Sequence, residues 1–104
     1  MRYELVWSSI CQKWFEKLKD RTTMVRILAR LERTKQGNFG DHKGISQDLS
    51  ELRLDFGPGF RIYFSIQQHK LIILLMGGDK STQDKDIEKA KQVLKDWIED
   101  ERDI

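Results

Sequence analysis

The chain has 104 residues, enough for one compact domain over 1–104 and too few for two. Hydrophobic residues make up 38% and charged residues 35%, so a modest core carries a heavily charged surface, and recurring apolar segments argue against disorder. The formal net charge of +2 hides an asymmetry: from Cys11 to Lys35 there are eight bases against three acids, and from Thr82 to Ile104 five bases against eight acids. A basic front half suits a polyanionic partner, and it equally describes a solvated helix face.

Cys11 is the single cysteine, which excludes an internal disulfide and a thiol cluster for zinc. The opening Met1-Arg2-Tyr3-Glu4-Leu5 has no apolar signal core, and the longest apolar run, Leu71 to Met76, is too short to cross a bilayer. The expectation is a soluble cytoplasmic protein with no membrane partner.

In chain order, Met1 to Trp7 alternates as a strand. Ser8 or Ser9 caps a helix with Ile10, Trp14, Phe15 and Leu18 on one stripe. Thr22 or Thr23 caps a second helix, with Met24, Ile27, Leu28 and Leu31 inward and Arg26, Arg30 and Arg33 outward. Gly37 and Gly40 end it and open a polar loop through Asp41, His42, Lys43 and Gly44. Leu49 to Phe56 and Phe60 to Ile66 alternate with period two around the turn Gly57-Pro58-Gly59, a β-hairpin. Lys70 to Met76 is apolar on both faces, an interior strand stopped by Gly77-Gly78. Ser81 or Thr82 caps a last helix whose early acids suit the positive end of its dipole. The predicted order is β-α-α-β-β-β-α, an α+β domain with helices packed on a small antiparallel sheet.

A five-residue loop from Asp55 to Gly59 sets Arg53 opposite Arg61 and Glu51 opposite Tyr63. Like charges facing each other on a sheet are destabilising, and a phosphodiester between two guanidinium forks would resolve the conflict. Surface pairing of both arginines with Glu51 and Asp55 would resolve it as well. In the first case Arg61→Ala leaves folding nearly intact and slows the chemistry by orders of magnitude. Gly77-Gly78-Asp79-Lys80-Ser81-Thr82 lacks the P-loop spacing, although a helix N-terminus beside Lys80 suits an isolated phosphate. His42 and His69 sit in different turns without metal-ligand spacing, so neither a metal nor a cofactor is expected.

Three blocks, Asp48 to Arg53, Gly57 to Phe64 and Leu74 to Gln83, resemble the phage Gp49-like, HigB-type addiction module killer branch of the RelE/ParE toxins, over nearly the whole chain. The resemblance implies a curved antiparallel sheet and a type II toxin bound by a helix-turn-helix antitoxin, with room for a hetero-oligomer that binds operator DNA. RelE-like members enter the ribosome and cut mRNA, by attack of a ribose 2′-OH that leaves a 2′,3′-cyclic phosphate. On that pattern Arg61 stabilises transition-state charge, Arg53 positions the phosphate, and Lys43 or Lys80 moves a proton. Tyr63, Arg26, Arg30 and Arg33 are the substrate-binding candidates, and the three helix arginines are also a surface for an acidic antitoxin segment. The departure is the final helix, which lacks the Tyr or His that some relatives carry as acid–base group. ParE-like inhibition of DNA gyrase, or an inactive phage-derived protein that binds a regulator, are the alternatives.

Overall fold

The computed structural model describes residues 2–102; Met1, where the expected first strand began, and Asp103 and Ile104 lie outside the described residues. The elements are β1 (Glu4–Trp7), α1 (Ser9–Glu16), α2 (Arg21–Lys35), β2 (His42–Ser46), β3 (Leu49–Arg53), β4 (Phe60–Gln67), β5 (Leu71–Asp79), a 3-10 turn (Lys80–Thr82) and α3 (Gln83–Arg102). No described helix is long and apolar enough to cross a membrane.

The α+β class holds, and the strand order gains one member. Residues 42–46, of which His42, Lys43 and Gly44 were expected in a polar loop, form an edge strand antiparallel to β3 with a bulge between Gly44 and Ser46. β2 is exposed at every position but Ile45, which packs against the core under α3, so it lacks the apolar alternation that announces a strand. The sheet runs β1-β5-β4-β3-β2, and it is not wholly antiparallel: β1 pairs parallel with β5. Strands β2 to β5 follow one another through short turns and must alternate in direction, whereas α1 and α2 carry the chain away from β1 and free it to run alongside β5.

Helices cover both faces. Cys11 and Phe15 of α1 and Ile27 and Leu31 of α2 pack against Leu52, Phe60, Ile62, Phe64 and Leu74. On the other face Ala90, Val93 and Leu94 of α3 pack against Leu49, Tyr63, Ile73 and Leu75. This double cover explains why β4 and β5 are buried on both sides. Leu28, expected inward, is 47% exposed, while Met24, Ile27 and Leu31 meet the core.

Ser8 caps α1: its Oγ accepts from Cys11 N at 2.9 Å and donates to Leu75 O at 2.9 Å, tying the helix to β5. Asp20, rather than Thr22 or Thr23, occupies the cap of α2. Asp79 starts the 3-10 turn that leads into α3, accepting from Ser81 N at 2.8 Å, where Ser81 or Thr82 was expected to cap.

Gly77 and Gly78 do not stop β5, which continues to Asp79. They serve close approach instead. A Cβ on Gly77 would overlap the Trp14 ring of α1, and one on Gly78 would overlap the Asp86 carboxylate of α3. Two glycines in succession therefore let helices press onto both faces of one strand.

Candidate active site

Leu54 N donates to Phe60 O at 3.0 Å and closes the β3–β4 loop. That register places Arg53 opposite Arg61 and Glu51 opposite Tyr63. Strand alternation then turns all four side chains to the face that α3 covers.

The two arginines are reconciled by one carboxylate from below. Glu51 Oε2 lies 3.1 Å from Arg61 Nε and 3.6 Å from Arg53 Nε, and Glu51 is 1% exposed. Neither Nε has a well-angled acceptor, so these contacts are electrostatic rather than directed hydrogen bonds. Gln83 Nε2, on the first residue of α3, donates to Glu51 Oε1 at 3.1 Å and Oε2 at 3.3 Å. Arg61, 8% exposed, also donates from Nη1 to the carbonyls of Gly59 and Phe60, both at 3.1 Å. The surface pairing foreseen with Glu51 is thus an interior one, because α3 roofs that face of the sheet. Asp55 forms no ion pair with either arginine among the described residues.

Above this floor, Arg53, Arg61 and Lys80 line a cleft of about 400 Å³ together with Asp41, Asp55 and Gly59. Lys80 comes from the 3-10 turn and folds over Gly59, whose φ of +78° and missing Cβ make room: a Cβ there would stand 3.0 Å from Lys80 Cγ. Among the described residues Lys80 forms no ion pair, and Arg53 keeps only its loose contact with Glu51. Two cations thus reach the cleft with charge to spare, held by a strand and by a capped helix start. Such an arrangement suits an oxyanion.

The other candidates lie elsewhere. Lys43 is exposed on edge strand β2, opposite Glu51, and does not line the cleft. Tyr63 is fully buried under α3, its hydroxyl has no hydrogen-bond partner, and burial, reinforced by Glu51, pushes its ionisation up. A phenol so enclosed does not meet a substrate in this conformation, so the geometry makes Tyr63 a core side chain. Arg30 is a strut: Nη1 donates to Arg53 O at 2.8 Å, and Nη2 to Phe39 O at 2.9 Å and Asp41 O at 2.6 Å. Burial, aided by the charge of Arg33, lowers its pKa. Arg26 stacks on Phe56, with Cζ 3.9 Å from the ring centroid, and Arg33 is exposed. Cys11 is a sealed core side chain whose thiol burial pushes up to about 12, which removes it as a nucleophile.

Sequence reasoning missed the brace from Gln83 and the strut from Arg30. Their partners, a carboxylate on a distant strand and three backbone carbonyls, leave no local pattern. Asp41, read only as part of a loop, lines the cleft because β2 follows it.

Helices on both faces of a five-stranded sheet, with a cleft of paired arginines at the hairpin end, define an α+β domain. A mutant of the E. coli toxin RelE in the free state matches it with a TM-score of 0.66, over 86% of this chain and 98% of that one, at 15% identity. At that identity the likeness is one of fold. The sequence profile of the phage derived protein Gp49-like (DUF891) family matches residues 13–95, and the chain belongs to that family. An uncharacterized protein of Haemophilus influenzae is 51% identical over 78 residues, which is 75% of this chain and 79% of that protein.

Proposed function

We propose that the chain is the toxin of a type II toxin–antitoxin system and that it cuts mRNA on the ribosome. Family membership and the RelE-like fold support the toxin reading. The observation that carries the nuclease reading is the facing pair Arg53–Arg61 on the floor of a cleft that Lys80 flanks.

In that cleft a ribose 2′-OH gives its proton to water and attacks the adjacent phosphorus in line, the bond to the 5′-oxygen breaks, that oxygen leaves with a proton from Lys80, and a 2′,3′-cyclic phosphate remains. Arg53 holds the phosphate and Arg61 meets the charge that grows on its equatorial oxygens. Both sit on strands, so little reorganisation is needed as charge develops. Lys80 is the proton donor within the cleft, and Lys43, outside it, takes no chemical role. A helix-turn-helix antitoxin silences the chain by covering the basic surface, and the complex binds operator DNA through the antitoxin.

Expression without a partner should arrest growth of the host, and a translating extract given the purified protein should accumulate cut mRNA. Supercoiling by gyrase should proceed undisturbed. Blocked supercoiling with intact mRNA would transfer the chain to the gyrase-inhibiting class.

A further inference from the structure

The basic cleft does not end at Asp55. Behind the segment Leu54-Asp55-Phe56 lies a second hollow of about 260 Å³, lined by those three residues and by Arg26, Ala29, Arg30 and Arg33 of α2. Leu54 and Asp55 are walls of both hollows, so the two are neighbours across a single length of chain. Arg30, between the two arginines on the helix, is consumed by three backbone carbonyls and fixes α2 against the end of β3. Arg26 and Arg33 form no ion pair among the described residues, even though Asp55 shares their hollow. The Arg26 guanidinium lies 3.9 Å over the Phe56 ring, and Phe56 is itself held by Phe60 at a centroid distance of 5.6 Å. Arg26 is exposed, which leaves the outer face of this stack open to solvent.

We infer that the Arg26–Phe56–Arg33 hollow is a second nucleic-acid subsite, which takes the nucleotide beside the one bound at Arg53 and Arg61. This inference rests on the mRNA reading above and deepens it. A planar guanidinium centred over an aromatic ring offers a cationic π surface, the kind on which an unpaired base stacks without regard to its identity. Arg33, one helical turn beyond the Arg30 strut, is placed for the phosphate of the same nucleotide. The Asp55 carboxylate between the hollows repels a phosphate at the divide, which favours one anion on each side of it. A single strand crossing the hairpin end would therefore be gripped at two successive nucleotides, with the reacting one in the first hollow.

The test uses the full chain and a short single-stranded RNA whose 2′-hydroxyls are methylated, so that it binds without being cut. Arg26→Ala and Phe56→Leu should each weaken binding roughly tenfold, the loss expected for one stacked base. Arg33→Ala should flatten the dependence of log Kd on log salt by about one. Arg26→Lys keeps the charge and loses the plane, so it should leave the salt slope at the parent value and still bind more weakly. On programmed ribosomes the same variants should raise KM and leave kcat near that of the parent chain; the melting temperatures of the arginine variants should match it, and that of Phe56→Leu, which packs on Phe60, should fall modestly. Unchanged affinity and slope in all of these variants would overturn the subsite, as would a parent chain that does not bind the RNA. Loss of affinity for an acidic antitoxin segment alone, with RNA binding intact, would overturn it in favour of a protein-binding surface. If the variants lose RNA affinity and the parent chain does not cut mRNA, the subsite stands and the nuclease reading falls.

Discussion

Arg53 and Arg61 stand directly opposite each other on neighbouring antiparallel strands, and both Nε atoms approach the same oxygen of buried Glu51. The trio keeps one net positive charge and Lys80 adds a second, while Asp41 and Asp55 on the rim balance them, so an anion is drawn to the three cations rather than to the cleft as a whole. Removing either sign from such a buried set leaves a charge uncompensated.

Glu51→Gln, which preserves shape and deletes charge, should therefore lower stability by about 3 kcal/mol in urea denaturation. Arg61→Ala should also destabilise, contrary to the sequence-based expectation of a nearly intact fold, because Arg61 is 8% exposed and braces Glu51. Arg61→Lys should retain more of the stability and little of the activity, since an ammonium keeps the charge and loses the fork. Equal melts for Glu51→Gln and the parent chain would remove the brace from the account.

The hairpin was legible in the sequence for a physical reason. The alternation of Leu52 and Leu54 with Phe60 and Ile62, together with a glycine-rich turn, leaves one register that keeps the apolar side inward. Cover on both sides was legible in β5, which is apolar on both faces, but not over the hairpin, where Glu51, Arg53 and Arg61 read as a solvated face. α3 roofs that face with side chains that carry no sign of their partner, Gln83 foremost. Strand β2 escaped for the opposite reason: His42, Lys43 and Gly44 bury nothing, and their pairing with β3 is made by backbone alone. Nor does any local pattern show that Arg30 points at carbonyls and not at solvent, although it shares its spacing with Arg26 and Arg33.

Gly77→Ala should be destabilising by about 1–3 kcal/mol, because the new methyl group meets the Trp14 ring. Gly44→Ala on edge strand β2 is the matched control, since nothing lies within 4 Å of a Cβ there. Thermal melts of the two variants should differ clearly, and equal melts would mean that α1 does not press on β5 as described.

Asp79 accepts hydrogen bonds from Ser81 Oγ at 2.6 Å and Ser81 N at 2.8 Å, and these hold its carboxyl below its ordinary value. A depressed folded pKa stabilises above the unfolded value of about 3.9, and that contribution is lost as pH falls through the folded value. Asp79→Ala should cost about 1 kcal/mol at neutral pH. The gap between the two proteins should stay constant down to about pH 4 and close below it. A gap that persists in stronger acid would show that the carboxylate charge is not what caps the helix start.

The function proposed for the Arg53–Arg61 cleft is phosphoryl chemistry on mRNA. Its most direct measurement is cleavage on programmed ribosomes, with the chemistry of the new 3′ ends determined and thermal melts taken in parallel. Arg53 is the residue to change, because its side chain is one-third exposed, at 33%, and its removal disturbs the core less than that of Arg61. The parent chain should leave 2′,3′-cyclic phosphate ends, and a well-folded Arg53→Ala protein should cut at least about a hundredfold more slowly. Full cleavage by Arg53→Ala, or mRNA left intact by the parent chain, would contradict the account.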